Sequence, residues 1–291
     1  MNPSGVLPID AELVSRLVED QFPQWSHLPV TAIEPGGWDN RSFRLGDGMV
    51  ARLPSSASYA DQVAKEQHWL PILAPSLPVA IPKPLALGRP GAGYPWHWSV
   101  YAWLPGETAA SGAAHDPAKL ARALADFLRA LHRIDPTGGP PPGQHNCYRG
   151  APLARYDAEV RHALTQLGDL VNARRTLSIW ESAAALRWQQ PPVWLHGDIA
   201  LDNLLLRDGS LSAVIDFGCC GVGDPACDLA IAWSGFDAPA REVFRQALPL
   251  DPATWERGRG WALWKALITL AGGSPERAEA ARRTLAQVLA G

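Results

Sequence analysis

Three oxygen-bearing side chains lie close together in the sequence: Asp198, then Asn203, then Asp216. A carboxylate can orient a hydroxyl group and accept its proton during phosphoryl transfer. A second carboxylate and an amide oxygen can hold Mg²⁺ against phosphate, because this ion prefers hard oxygen ligands. If the fold brings them together, these residues supply the protein groups that phosphoryl transfer needs.

A predicted β-hairpin brings the three residues to one place. Asp208-Gly209, between two leucine-containing runs, is a strong signal for a two-residue hairpin turn. With those two residues forming the turn, the antiparallel register places Asn203 opposite Val214, within about two positions of Asp216. Asp198 lies in the loop just before the hairpin. We therefore expect the three side chains to meet at its open end.

The spacing of these residues matches a known catalytic pattern. The order H-x-D-x4-N followed by D-F-G occurs in the catalytic and metal loops of kinases. In that scheme Asp198 is the catalytic base, and Asn203 and Asp216 ligate the metal. A lone D-F-G is a weak signal, but the joint spacing around a hairpin is much harder to obtain by chance. We expect His196 to brace the loop by hydrogen bonds rather than take part in the chemistry.

Two further segments extend the pattern. His196-Gly197-Asp198, Ile215-Asp216-Phe217-Gly218 and Gly223-Asp224-Pro225 followed by Asp228-Leu229-Ala230 resemble the aminoglycoside phosphotransferase family. Glycine after the histidine, where protein kinases have arginine, favours this branch. The resemblance runs from about Ile33 to Trp233. It implies an ATP- and Mg²⁺-dependent small-molecule kinase with a protein-kinase-like fold, in which Asp228 holds the metal-loop segment together.

The same resemblance implies a nucleotide site in the first third of the chain. A hairpin over residues 34–45 would cover the phosphates, and the strand after it would carry a lysine. Arg52 stands at that place, and it can grip phosphate through its planar guanidinium. Glu66 is the best candidate for its partner on a helix, and Tyr101 would lie behind the adenine. The implied nucleotide-binding residues are Gly36, Gly37, Asn40, Ser42, Arg52, Glu66, Ala102 and Leu104, with backbone contacts at the last two.

Periodicity and turn signals predict an α+β chain with two lobes. Residues 1–103 would form a nucleotide-binding lobe with a small antiparallel sheet. Residues 104–291 would form a larger, mainly helical lobe for catalysis and acceptor binding. The predicted strands are 31–33, 41–45, 49–53, 98–104, 193–195, 203–206 and 211–216. The predicted helices are 10–22, 60–74, one beginning at Asp116-Pro117, 152–167, 174–188, 239–247, 254–271 and 275–289.

Composition excludes several other classes of protein. The chain has 291 residues, 47% of them hydrophobic, which is ample for a large core, and a net charge of -3. A nucleic-acid-binding protein would normally be more basic. No apolar run is long enough to span a bilayer, and the first residues lack a secretory signal, so we expect a cytoplasmic protein. Four cysteines form neither a disulfide framework nor a zinc signature.

The sequence leaves the phosphate acceptor open, as it does the phosphorylated hydroxyl, the choice between ATP and GTP and the oligomeric state. A cationic acceptor would require carboxylates around Asp198. Residues 242–291 carry seven Lys or Arg and five acidic residues, so this tail does not specially favour a polycation. The carboxylates available elsewhere are Asp157, Glu159, Glu181, Asp228 and Asp237. Such a residue is more often a solvent-exposed charge on a helix, or a helix cap, than a ligand-binding group. Four aromatic residues, which could line an apolar pocket, are expected in the core: Trp233, Phe236, Trp261 and Trp264.

Several functions fit these observations. The main hypothesis is O-phosphorylation of an aminoglycoside or of another antibiotic such as a macrolide; the alternative is a metabolite kinase acting on choline, homoserine or a sugar. A nucleotide-binding pseudokinase with a regulatory role is a second class, supported only by Arg52. A protein kinase is disfavoured by Gly197 and by the absence of an Ala-Pro-Glu segment after Asp216.

Overall fold

The computed structural model describes residues 8–34, 36–37, 39–112, 114–273 and 275–290. Internal contacts divide the chain into two units. The first comprises the chain up to Pro75 together with Ala80–Pro105, and the second comprises Ser76–Val79 and the chain from Gly106 onward. The predicted α+β class is confirmed, since the first unit holds an antiparallel sheet and the second is mainly helical. The functions assigned to the two predicted lobes stay predictions.

The first unit is built on a five-stranded antiparallel sheet. The strands are β1 Val30–Ala32, β2 Asn40–Leu45, β3 Met49–Pro54, β4 Pro84–Gly88 and β5 Trp98–Ala102. Their order in the sheet is β1-β2-β3-β5-β4. The edge strand β4 was not predicted, because its leucines alternate with other residues without a turn signal and remain exposed. The helices are α1 Ala11–Gln21 and α2 Ala57–Leu73.

The two faces of this sheet have different chemistry, because side chains alternate along a strand. One face packs its apolar residues against helix α1 and forms the core of the unit. The opposite face carries polar side chains in register across three strands: Ser42 faces Arg52, and Arg52 faces Ser99. The residues of the apolar cluster include Leu13, Leu17, Phe43, Leu45, Ala51, Leu53, Trp98 and Val100.

The second unit combines short sheets with helices. The strands are β6 Glu107–Thr108, β7 Val193–Leu195, β8 Leu204–Arg207, β9 Ser210–Val214 and β10 Gly221–Gly223. They form the sheets β6-β8-β9 and β10-β7. Strands β6 and β10 were not predicted, and each pairs with a strand that was. The helices are α3 Pro117–His132, α4 Asp157–Leu167, α5 Ala173–Ala185, α6 Ile231–Ser234, α7 Ala238–Ala247, α8 Pro252–Ala271 and α9 Pro275–Ala290.

Helix α8 is central to the second unit. Asp251 caps its start by accepting a hydrogen bond from the Thr254 N–H, at 3.0 Å. The helix packs against α4, α5 and α9. The approach is close at Gly258, where a Cβ atom would lie 2.6 Å from the Leu229 Cβ. All four aromatic residues that could have lined a pocket are buried, as expected for core: Trp233, Phe236, Trp261 and Trp264.

The β8–β9 hairpin has the predicted turn but not the predicted register. Asp208 and Gly209 have φ values of 52° and 68°, as a type I′ turn requires. A bulge then shifts the pairing, so that Leu204 rather than Asn203 lies opposite Val214. The Ile215 N–H donates to the Asn203 carbonyl at 2.9 Å. The predicted pairing of Asn203 was therefore wrong by one residue, because a bulge leaves no signal in the turn sequence; the shift brings Asn203 closer to Asp216.

A titrating group, His132, lies partly buried at the end of α3. Burial lowers the pKa of His132 to about 4. No hydrogen bond to its Nε2 is found within the described part of the chain. Among the described residues, no helix is both long and apolar enough to cross a bilayer.

His132 should make the stability of the protein depend on pH. The folded pKa lies below the unfolded value of about 6.5, so the unfolded chain binds more protons between pH 6.5 and 4. We expect the free energy of unfolding to be highest above pH 6.5 and to fall by about 2–3 kcal/mol as pH drops to 4. In urea titrations, His132→Phe should lose this part of the pH dependence and His97→Gln, at an exposed site, should keep it. An unchanged slope in His132→Phe would assign it to other groups.

Candidate active site

A buried carboxylate holds the loop that follows β7. Asp228 is fully buried; its Oδ2 accepts the His196 N–H at 2.8 Å, and its Oδ1 accepts the Gly197 N–H at 2.7 Å. Burial raises the pKa of Asp228, against the effect of these hydrogen bonds and of nearby positive charge. The contacts of Asp228 are with the loop that carries Asp198, whereas the expected role was to hold the metal-loop segment. That expectation is corrected, because the chain folds back so that the two N–H groups face the carboxylate.

The backbone at Gly197 leaves no room for a side chain. Its φ is +86°, and a Cβ atom would lie 2.3 Å from the Cys219 carbonyl oxygen. The glycine that distinguishes this loop from that of protein kinases is therefore required by the close approach of the Cys219 backbone. The three clustered cysteines, 219, 220 and 227, are buried.

His196 joins the two loops of the site. Its Nε2 lies 3.0 Å from the Ile215 carbonyl, and its Nδ1 lies 3.2 Å from the Asp198 nitrogen. A ring that carries its hydrogen on Nε2, and donates it to the Ile215 carbonyl, satisfies both bonds. The ring also packs on Phe217, with 4.6 Å between centroids. His196 thus braces the loops by hydrogen bonds, as the sequence predicts.

Asp198 is paired with a lysine that sequence reasoning missed. Lys265 on α8 donates from Nζ to Asp198 Oδ1 at 2.5 Å. Burial alone would raise the pKa of Asp198, but Lys265, its hydrogen bond and the charge of Arg149 outweigh burial and lower that pKa to about 2. The carboxylate is therefore ionised at neutral pH. Its side chain remains 37% exposed, and that of Lys265 32% exposed, so a ligand can reach the pair.

Arg149 is a second cation that sequence reasoning missed. It is buried and donates from Nε to the Gly197 carbonyl at 3.0 Å. Its guanidinium lies 5.1 Å from the Trp261 ring and 4.9 Å from the Trp264 ring. Packed in this way, Arg149 holds the backbone of the loop at Gly197 and adds positive charge near Asp198.

Asn203 and Asp216 lie at the open end of the hairpin. Asn203 donates from Nδ2 to the Asp198 carbonyl at 2.9 Å, which fixes the orientation of its amide group. Asp216 adopts a left-handed conformation with φ 69° and ψ 66°, a geometry that is uncommon outside glycine and occurs at functional sites. An amide oxygen and a carboxylate suit Mg²⁺, which commonly uses few protein ligands together with phosphate and water. The two residues fit the predicted magnesium site, and this role stays a prediction.

In the first unit, Arg52 and Glu66 form the expected pair. Arg52 Nη1 lies 3.6 Å from Glu66 Oε1, and Tyr101 donates its hydroxyl to Glu66 Oε2 at 2.6 Å. Burial and the nearby Glu66 charge raise the pKa of Tyr101 well above its ordinary value. Arginine therefore occupies the lysine position with its helix glutamate in place.

The four residues predicted from the phosphate-covering hairpin divide into two pairs. Ser42 lies opposite Arg52 across the strands, and Asn40 follows on the same face by alternation. The other two, Gly36 and Gly37, make hydrogen bonds within the segment itself. The Gly36 N–H lies 3.1 Å from a Glu34 carboxylate oxygen, and the Gly37 carbonyl accepts from Arg41 at 2.5 Å. Pro35 and Trp38 of the same segment lie outside the described residues.

The predicted adenine contacts are restricted at one position. The Ala102 N–H donates to the Lys83 carbonyl at 2.9 Å. A contact between adenine and Ala102 would therefore have to use the Ala102 carbonyl. Tyr101 is fully buried beside Glu66, and Leu104 is partly buried just after β5.

Comparison with known proteins identifies the family. The family model described as "Phosphotransferase enzyme family" (APH) matches residues 30–261, most of the chain. The chain belongs to the APH phosphotransferase family. The resemblance stated from the sequence is confirmed. All of the predicted site residues lie within the matched region.

Two sets of APH relatives resemble the chain. Aminoglycoside 3'-phosphotransferases of Escherichia coli and Salmonella typhimurium are 32% and 31% identical over 144 residues, 47% of this chain and 52% of theirs. The chain thus spans about half the length of the curated relatives it matches. Among solved structures, the GDP complex of aminoglycoside 2'-phosphotransferase-IIIa is 20% identical with a TM-score of 0.76, covering 96% of this chain and 98% of that one. The macrolide 2'-phosphotransferase of Brachybacterium faecium is 24% identical with a TM-score of 0.62, covering 96% and 98%.

The matched region includes one of the two cations beside Asp198. The structural neighbours are similar in fold. Arg149 lies inside the matched region, whereas Lys265 lies just beyond its end.

Proposed function

We propose that the chain is a Mg²⁺- and ATP-dependent phosphotransferase that moves the γ-phosphoryl group to a hydroxyl of a small molecule, such as an antibiotic. The observation that supports this most strongly is a pair of hydrogen bonds that link the backbone at Asp198, the residue Asn203 and the strand end just before Asp216. The Asn203 side chain is bonded to the Asp198 backbone, and Ile215, next to Asp216, is bonded to Asn203. The residues expected to be base and metal ligands are thus held at one hairpin end.

Asp198 would act first by orientation. A carboxylate with a pKa of about 2 is a weak proton acceptor, so it cannot remove the hydroxyl proton early. It can align the acceptor oxygen with the γ-phosphorus. As the new P–O bond forms and the bond to the β–γ bridging oxygen breaks, the hydroxyl proton passes to Asp198 and ADP leaves. When bound, Mg²⁺ would be held by Asn203 and Asp216 and would neutralise charge on the phosphates.

In the first unit, Arg52 would bind the phosphates and Glu66 would position it. Ser42, on the same sheet face, would add a hydroxyl donor. This assignment weakens the pseudokinase alternative, since Arg52 was its only support. An arginine already paired with its helix glutamate keeps the arrangement that phosphate binding requires.

Arg52→Ala should raise the KM for ATP by about 10- to 100-fold, because a charge-assisted hydrogen bond to phosphate is lost. Arg52→Lys is the matched variant, and it should retain most of the ATP affinity by keeping a cation at this place. Steady-state kinetics at varied ATP would measure both. An ATP dependence unchanged in Arg52→Ala would exclude a phosphate contact by this residue.

The proposed activity is tested with a panel of acceptors. The chain would be incubated with Mg-ATP and, separately, aminoglycosides, macrolides, choline, homoserine and sugars. Mass spectrometry should detect the gain of one phosphate by an acceptor from one of these groups. Phosphate on a metabolite alone would replace the antibiotic by the metabolite alternative. Failure to bind ATP would contradict the proposal as a whole.

A further inference from the structure

The charge beside Asp198 limits what can bind there. Lys265 already contacts the carboxylate, and Arg149 adds a second positive charge from the buried side. An acceptor hydroxyl must reach Asp198 to be phosphorylated. An acceptor that carries several ammonium groups would therefore have to bring them close to the Lys265 ammonium, where like charges repel.

The five carboxylates that the sequence offers as partners for a cationic acceptor each already make a hydrogen bond or an ion pair within the fold. Aminoglycoside-type acceptors need several acidic partners, and five candidates lie in the second unit. Two of them share Arg161, which lies 2.8 Å from Asp157 and 2.9 Å from Glu181. The other engagements are Asp157 with Trp180 Nε1 at 2.8 Å, Glu159 with Trp264 Nε1 at 2.9 Å, Asp228 with the catalytic loop, and Asp237 with the Ala240 N–H at 2.9 Å.

The Lys265–Asp198 ion pair itself carries little net charge. Lys265 and Asp198 neutralise each other, and the Arg149 guanidinium is directed to the Gly197 carbonyl and the aromatic rings. Neither Lys265 nor Arg149 therefore offers an unengaged positive charge to a strongly anionic acceptor. The arrangement fits a neutral acceptor best, whose hydroxyls can share hydrogen bonds with the exposed parts of the Lys265–Asp198 pair.

We propose that Lys265 is a specificity-determining residue that restricts the acceptor to neutral hydroxyl compounds, such as glycosides and polyols, and disfavours those with a cluster of ammonium groups. This inference rests on the proposed function, because it assumes that Asp198 meets the acceptor. It is carried by the ion pair between Lys265 and Asp198, of which Lys265 lies just beyond the region matched by the family model.

The test compares two lysine variants of the full chain. Lys265→Met removes the charge beside Asp198. Lys119→Met removes a charge on α3 that contacts Ser210 in the hairpin, and it controls for the change in net charge. Binding of a polycationic aminoglycoside to each protein would be measured by calorimetry at low salt, and Lys265→Gln would repeat the result with a polar side chain.

We expect Lys265→Met and Lys265→Gln to bind the aminoglycoside at least about tenfold more tightly than the unchanged chain, and Lys119→Met to differ by less than about twofold. A gain of less than about threefold, or equal gains in the Lys265 and Lys119 variants, would overturn the inference. Binding needs no turnover, so it can be measured whether or not the chain transfers phosphate. Phosphate transfer to no acceptor, neutral or cationic, would count against the function, while the binding ratio would still decide the role of Lys265.

Discussion

Asp198→Asn should lower kcat by roughly 10²- to 10⁴-fold, the range expected when a general base is removed. The amide keeps the shape of the side chain but can no longer accept the hydroxyl proton. It also loses its charge attraction to Lys265, which now lies 2.5 Å away. The affinity for ATP should change little, because the residues proposed to bind the nucleotide belong to other parts of the chain.

The measurement is single-turnover transfer from ATP to an acceptor, combined with equilibrium binding of ATP. Asp202→Asn is the matched control, since it removes an exposed carboxylate from the same short segment. The control should retain normal turnover. Near-normal turnover in Asp198→Asn would remove this residue from the role of base.

Arg257→Met should destabilise the protein by about 3–5 kcal/mol, because it leaves a buried carboxylate without its counter-ion. Arg257 on α8 is 1% exposed, and Asp224 is 6% exposed. The guanidinium binds both carboxylate oxygens, at 2.6 and 3.1 Å, and also the Thr254 hydroxyl at 3.0 Å. The pair fastens the segment after β10 to α8.

Urea denaturation would measure this loss as a lower transition midpoint. Arg161→Met provides the contrast, since Arg161 pairs with two carboxylates, Asp157 and Glu181, but is 49% exposed. Removing such solvent-exposed pairs should shift the midpoint far less than Arg257→Met does. Similar losses in the two variants would show that burial of the Arg257–Asp224 pair is not what makes it important.

The local part of the site could be predicted from the sequence. Asp208-Gly209 predicted the hairpin turn, because both residues tolerate the positive φ that the turn requires. The spacing of Asp198, Asn203 and Asp216 relative to that turn then placed them at its open end. The predicted register was wrong by one residue, since a bulge depends on side-chain packing rather than on the turn itself.

The long-range part could not be predicted. Lys265 and Arg149 reach Asp198 from segments whose placement follows from helix packing, and no local pattern reports that packing. One signal was present: Lys265 is a single charge in an otherwise apolar run of α8, Trp261–Ile268, where a charge needs a partner. The role of Asp228 was misplaced for the same reason, because its N–H partners lie 31 and 32 residues away.

In the proposed reaction, the chain moves the γ-phosphoryl group of ATP to the hydroxyl of an acceptor. The most direct test uses ATP labelled with ¹⁸O at the non-bridging γ-phosphate oxygens, with mass spectrometry of the acceptor that the panel identifies. We predict a product that has gained a phosphoryl group with all of these labelled oxygens and has kept its own oxygen in the new ester. Labelled phosphate released into water, with the acceptor unchanged, would contradict the account.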